Sequence, residues 1–387
     1  MRILIASDTF PPHINGAARF AERLGQGLVR RGHEVHQIAP STNLHSYAET
    51  VEGVVIHRVR SYPFTPIEAF RWVAPWDSFP EIARIVGEVR PDVVHLQCNG
   101  TVGRAAGYHA TRQGIPLVAT NHVMPENLMK QLPIPRAFQN IATEAIFRDM
   151  RHVFKQAQVL TAPTPRAVAM LEKSAKLVGG LAVSCGVDTA VYAAAAEAAP
   201  AHDVPVILYV GRLDPEKRIR ELVEAVAGLP SDVPYRLEII GDGIEHAHLV
   251  KLAAAKGLGP DKVKFFGFVS EEELLAAYGR CDIFCMPGIA ELQSLVTLEA
   301  MSAGKPVVAA NAMALPHLVH PGDNGWLYTP GDVAELRGHL QTLLTSPDLR
   351  RRMGAESQRI VANHGVDGTL QKYETLYERA ISAVKGA

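Results

Sequence analysis

Short apolar runs alternate with amphipathic stretches along almost the whole chain, and this alternation limits the fold class before any single residue is considered. Ile3–Ala6, Glu34–Ala39, Val54–Val59, Val93–Leu96, Leu117–Thr120 and Val159–Ala162 read as strands. Between several of them, stretches such as 18–31, 79–89 and 101–113 carry the period of a helix. Strands rich in Val and Ile, apolar on both faces, belong in a parallel sheet covered by helices on both sides. The alternation restarts near Pro205, with Val206–Val210, Arg236–Ile240, Lys264–Phe266, Ile283–Met286 and Val307–Ala310 as a second set of strands. A chain of 387 residues has room for two such α/β domains.

Tyr192–Pro205, rich in Ala and Pro and without a strand pattern, reads as a surface linker. The expected division is therefore a first Rossmann-like domain over 1–190 and a second over 204–365, facing a cleft between them. Three helical patterns follow Pro330, and the last (366–387) is expected to pack back on the first domain. Sheets of this type bind ligands outside the C-terminal ends of their strands, so residues there are the ones to weigh.

Composition removes several classes of function. The net charge of −1 gives no reason to expect a nucleic-acid partner, although residues 1–190 carry 20 Lys+Arg against 15 Asp+Glu. The four cysteines show no zinc spacing and read as buried thiols of a reducing compartment. No apolar run reaches the roughly 18 residues needed to span a bilayer. With a strand at the very start and no leader pattern, the expected location is the cytoplasm, any membrane contact being peripheral.

The strand-end segments are rich in polar residues. Asp8 to Ala18 follows the first strand and holds Asn15-Gly16 just before a helix. Positive φ at Gly16 would let a ligand approach the backbone, though an ordinary loop explains the pair equally well. His122 closes the strand Leu117–Thr120, where it either caps a loop or meets a sugar hydroxyl. Gly211-Arg212-Leu213-Asp214-Pro215-Glu216-Lys217 follows the first strand of the second set. Arg212 and Lys217 suit a diphosphate; the plainer reading is a solvated loop in which Arg212 pairs with Asp214 or Glu216. Gly241-Asp242-Gly243 marks another tight turn at the same edge.

Met286–Ala310 contains Glu291 in a loop and Glu299 inside the helix that follows. Helix amides near Ser294–Val296 can bind phosphate oxygens, and the two acids can accept hydrogen bonds from hydroxyls. Two such glutamates in isolation are usually two solvated charges. No Asp-x-Asp, Walker loop, Gly-x-Ser-x-Gly or His-Glu-x-x-His occurs. Charge on a leaving group would then fall to Arg212, Lys217 and helix amides.

Together, Gly211-Arg212-Leu213 with Lys217, Gly241-Asp242-Gly243, Phe266-Gly267-Phe268-Val269, the Glu291–Glu299 pair with its Ala-Gly-Lys-Pro-Val-Val tail, and Asn324-Gly325-Trp326-Leu327 resemble the family 4 glycosyltransferases. The resemblance covers nearly the whole chain and is similar to bacterial glycolipid-forming hexosyltransferases. It implies a metal-independent, cofactor-free enzyme of the GT-B fold that moves a hexose from a UDP- or GDP-linked sugar with retention. It implies that Arg212 and Lys217 bind the donor diphosphate with the amides of Leu295 and Val296. By the same resemblance Glu299 meets the ribose, Glu291 the sugar hydroxyls, and Phe268 and Val269 the base. Gly16 and Gly241 would let loops approach the donor, and His122 would contact the sugar near its reacting carbon. Two departures stand out: Leu292-Gln293-Ser294 replaces the usual Gly-Phe-Gly, and Asn15-Gly16 replaces a glycine pair.

For the acceptor, the long segment 123–158 sets Arg136, Arg148, Arg151 and Lys155 beside Leu132, Phe138, Ile141, Ile146 and Phe154. A basic amphipathic helix of this kind lies on an anionic membrane or packs on its own domain. The expected acceptor is a membrane lipid such as diacylglycerol or a phosphoinositide-type glycolipid. A soluble small-molecule or saccharide acceptor, a nucleotide-sugar epimerase and a non-catalytic sugar-binding protein are the alternatives.

Overall fold

The computed structural model describes residues 1–13, 15–64, 71–124 and 135–386. Contacts divide the chain into two units, Met1–Cys185 with Asp367–Ala387, and Gly186–Val366.

The first unit is built on eight strands: β1 (Arg2–Ala6), β2 (Glu34–Pro40), β3 (Tyr47–Val51), β4 (Val54–Val59), β7 (Val93–Leu96), β8 (Leu117–Thr120), β9 (Val159–Ala162) and β10 (Leu181–Ala182). A two-residue ribbon, β5 (Tyr62–Pro63) with β6 (Arg71–Trp72), stands apart. The sheet order is β10-β9-β8-β7-β1-β2-β4-β3, parallel except for the β3–β4 pair. Inner strands such as β1, β7, β8 and β9 are buried almost throughout, as a doubly covered sheet requires. The edge strand β3 was not legible as a strand because Tyr-Ala-Glu-Thr-Val is polar and exposed; the Glu52-Gly53 turn, both residues at positive φ, folds it back on β4.

The second unit carries β11 (Val206–Val210), β12 (Arg236–Ile240), β13 (Val263–Gly267), β14 (Ile283–Met286), β15 (Val307–Ala310) and β16 (Gly325–Tyr328), in the order β13-β12-β11-β14-β15-β16, all parallel. A Cβ at Gly325 would stand 1.8 Å from the Val307 carbonyl oxygen, so only glycine lets β16 approach β15 this closely.

The segment read as a surface linker is helical in its first part, where helix Thr189–Glu197 runs into it, and has neither helix nor strand over 198–205. Four consecutive alanines favour helix strongly, and the Asp188 carboxylate accepts from the Val191 amide to start it. Tyr192 is buried there and meets Tyr278 edge to face at 5.3 Å. The last helix, Val366–Lys385, buries Tyr373 and Tyr377 in the first unit beside His95 of β7.

In the long segment, Leu132 lies outside the described residues, and the helix runs over Arg136–Phe154. Its apolar residues do not share one surface. Phe147, Met150, Val153 and Phe154 are buried in the unit, Ile146 is half-buried, and Phe138 and Ile141 are 59% and 67% exposed. No described helix is long and apolar enough to cross a membrane.

Candidate active site

In the second sheet, β11 has β12 on one side and β14 on the other, so the order reverses at β11, and sheets of this type bind their ligands at the strand C-termini beside such a reversal. Three loops meet there. Gly211 (φ 149°) and Gly241 (φ 125°) both take left-handed-side backbone, and a Cβ on Gly241 would sit 2.0 Å from the Gly211 carbonyl oxygen. Leu213 donates to the Asp242 carbonyl at 2.9 Å, and Gly241 donates to the Gly267 carbonyl at 2.8 Å. The loops after β11, β12 and β13 are therefore stitched backbone to backbone, which glycine alone permits.

On this frame Arg212 is partly exposed and pairs with Asp214 and, at 3.2 Å, with Glu216. Both carboxylates are buried. The Arg212 carbonyl accepts from the buried Tyr209 hydroxyl at 2.8 Å. Lys217 closes a short 3₁₀ turn and pairs with Glu291 across 74 residues of sequence. The Ile289 amide donates to the Glu216 carbonyl (3.0 Å), which holds the Glu291 loop against the Lys217 turn, and the Ala314 amide donates to the Glu291 carbonyl (3.1 Å), which ties the same loop to the segment after β15.

Helix Leu295–Ser302 starts from this loop. Leu295 and Val296 are its first two residues, and the first amides of a helix have no partner within the helix itself. Glu299, the fifth residue of this helix, is buried and accepts from the Tyr278 hydroxyl at 2.8 Å. Burial, followed by the charge of Glu299, pushes the Tyr278 hydroxyl well above its ordinary pKa, so it stays a donor. Phe268, after β13, is 65% exposed, whereas Val269 packs partly on the core.

In the first unit, His122 follows β8 and bonds through Nε2 to the Gln97 side-chain oxygen at 2.7 Å. Its ring packs 4.9 Å from Phe20, and burial lowers its pKa to about 4, so the ring is neutral at pH 7. Gly16 is the first residue of helix Gly16–Arg30, where the Asn15 side chain caps the Ala18 amide at 2.9 Å. Gly16 is thus helical and exposed; the positive φ expected of it does not occur. Among the described residues, no group of three or more His, Cys, Asp or Glu side chains is placed to hold a metal ion.

Residues 14–191 match the family described as Glycosyltransferase Family 4, and residues 194–360 match Glycosyl transferases group 1. A GDP-mannose-dependent alpha-mannosyltransferase of Mycolicibacterium smegmatis is 30% identical over 371 residues, which cover 93% of this chain and 92% of that one. The chain belongs to the family 4 glycosyltransferases. A second protein of the same description, from Mycobacterium tuberculosis, is 29% identical to this glycosyltransferase over 345 residues, 86% of this chain and 85% of its own. The sucrose-phosphate synthase structure from Thermosynechococcus elongatus shares the GT-B fold, with a TM-score of 0.78 at 22% identity and 99% of both chains covered. The glycosyltransferase is a hexosyltransferase that uses a nucleotide sugar.

Several contacts of the glycosyltransferase were beyond the reach of its sequence. Lys217–Glu291 joins a turn to a loop and Tyr278–Glu299 joins two helices, each pair far apart in sequence, and Gln97 carries no signal beyond its place after β7. The pairing of Arg212 with Asp214 and Glu216 is the plainer of the two readings of that loop, and it is the arrangement present.

Proposed function

We propose that the enzyme transfers a hexose from a GDP- or UDP-linked sugar to an acceptor hydroxyl with retention of configuration. The observation that supports this most is the gathering of Arg212, Lys217, Glu291 and the start of helix Leu295–Ser302 at the reversal point of one sheet. Arg212 and Lys217 give the donor diphosphate a planar fork and a point charge, and the Leu295 and Val296 amides take further phosphate oxygens. A diphosphate would draw Arg212 from Asp214 and Glu216, and Lys217 from Glu291, which frees the Glu291 carboxylate for sugar hydroxyls. Tyr278 occupies Oε2 of Glu299 and leaves Oε1 for the ribose diol. Phe268 and Val269 flank the base and Gly241 keeps the loop floor low, and the resemblance to the family assigns Gly16 and His122, of the first unit, to the transferred sugar.

In the reaction the bond from the anomeric carbon to the diphosphate breaks and a bond to the acceptor oxygen forms on the same face. The acceptor's proton passes to the departing phosphate oxygen, and the cations and helix amides stabilise the charge that develops there. The names of the mycobacterial relatives point to GDP-mannose as donor. For the acceptor, exposed Phe138 and Ile141 on the same helix as exposed Arg148 and Arg151 support a lipid at a membrane surface.

A thermal-shift panel of GDP, UDP, ADP, GDP-mannose and UDP-glucose tests the donor. A ligand at 100 times its Kd adds about 2.7 kcal/mol to stability. The expected result is a clear shift with GDP and GDP-mannose that Arg212→Ala reduces. No shift with any nucleotide, or one that ignores Arg212, overturns the reading.

A further inference from the structure

Resting on the role proposed for His122 at the transferred sugar, we propose that Gln97 is a positioning residue: its amide oxygen holds His122 as the Nε2–H tautomer and so presents Nδ1 as an acceptor for a sugar hydroxyl.

Gln97 is buried and directly follows β7, where its backbone amide donates to the Ala6 carbonyl at 2.9 Å. Its side chain lies between two histidines. Oε1 is 2.7 Å from His122 Nε2, and the amide nitrogen is 3.4 Å from both ring nitrogens of His95. Equal distances to the two nitrogens mean that the amide faces the plane of the His95 ring and aligns with neither lone pair. Both of those nitrogens are already engaged, Nδ1 by the Tyr377 hydroxyl at 2.8 Å and Nε2 by the Thr120 hydroxyl at 2.6 Å. An aromatic face attracts the N–H end of an amide and repels its carbonyl. The amide therefore points its nitrogen at His95 and its oxygen at His122.

An amide oxygen only accepts, so the proton of neutral His122 must sit on Nε2. No hydrogen bond within the described residues engages Nδ1, and the ring is braced by Phe20 at 4.9 Å. Behind His95 the chain of partners continues. Thr120 meets Thr161 at 2.6 Å, and the Tyr373 hydroxyl lies 3.2 Å and 3.3 Å from these two. The orientation of Gln97 is thus fixed by a buried network that ends on two tyrosines of the last helix. A histidine ligand whose tautomer is set by a buried partner is a familiar way of aiming a lone pair.

The test combines NMR and a double-variant cycle. Protein labelled with ¹⁵N-histidine should show His122, assigned by its loss in His122→Asn, as the Nε2–H tautomer. In Gln97→Met, which keeps the side-chain length but offers no amide, the His122 signal should become a tautomer mixture. GDP release from GDP-mannose should fall roughly ten-fold in kcat in Gln97→Met with little change in KM, the loss of one buried partner. In a His122→Asn background the same change should have almost no further effect. A wild-type Nδ1–H tautomer, an unchanged His122 signal in Gln97→Met, or additive losses in the double variant would overturn the proposal. Full turnover in His122→Asn would instead remove His122 from the sugar site, and the NMR result still decides what Gln97 does to the ring.

Discussion

Ser294 is the residue at which local physics and the surrounding motif disagree. It sits at φ 70°, ψ 80°, a left-handed conformation that costs an L-residue roughly 1–2 kcal/mol and suits glycine. It is buried, and its hydroxyl is 2.8 Å from that of Thr297, an interaction contributing about 1 kcal/mol. Ser294→Ala keeps the strain and loses the bond, so unfolding free energy should drop by about 1 kcal/mol. Ser294→Gly also loses the bond but relieves the strain, offset by about 0.4–1 kcal/mol of extra unfolded-chain entropy. Urea denaturation should therefore rank Ser294→Gly above Ser294→Ala; the reverse order would remove the strain account. At this scale the sequence shows which residue types stand at strand ends, because apolar runs locate those ends. It does not show who pairs with whom. Lys217 meets Glu291 and Gln97 meets His122 only through sheet register, which no local pattern encodes.

At the scale of elements, most of the parallel strands were legible because they are short apolar runs, which their length and their Val and Ile content separate from buried helix. The strands β3, β10 and β16 escaped it for separate reasons. The first is a polar edge, the second has two residues, and the third is opened by a glycine. The Thr189–Glu197 helix escaped because alanine-rich stretches carry little hydrophobic period even when one tyrosine anchors them. The buried polar network of β7, β8 and the last helix has a consequence for pH. Burial lowers His95 from 6.5 to about 3, with the nearby His122 adding to the effect, and His122 itself is lowered to about 4. Both are neutral when folded, whereas the unfolded chain protonates them below 6.5, so stability is fully present above pH 6.5 and is lost as pH falls. At pH 5 each histidine should have cost about 2 kcal/mol, from 1.36 kcal/mol per pH unit. Urea unfolding at pH 7.5 and pH 5 measures this, and His95→Asn or His122→Asn should flatten the difference by that amount. An unchanged slope in both variants would mean that these rings do not drive the loss.

Across the whole molecule, charge is divided unequally. The unit formed by Met1–Cys185 and Asp367–Ala387 holds 23 Lys+Arg and 17 Asp+Glu, whereas Gly186–Val366 holds 16 and 23. The positive unit is the one that carries helix Arg136–Phe154, with Phe138 and Ile141 exposed and Arg148 and Arg151 on its surface. Near an anionic bilayer a Lys or Arg gains about 1 kcal/mol, a term that salt screens, while a buried apolar side chain gains roughly 1.5–3 kcal/mol, which salt does not screen. The two terms can be separated by flotation on vesicles of phosphatidylglycerol and phosphatidylcholine. The enzyme should float with anionic vesicles at low salt and be partly released as salt rises. Arg148→Glu with Arg151→Glu should abolish the salt-sensitive part, and Phe138→Ser with Ile141→Ser should weaken binding at every salt concentration. If neither pair changes flotation, or if the enzyme ignores anionic vesicles at low salt, this helix does not bring the acceptor side to a membrane. The acceptor hydroxyl would then have to come from a soluble molecule.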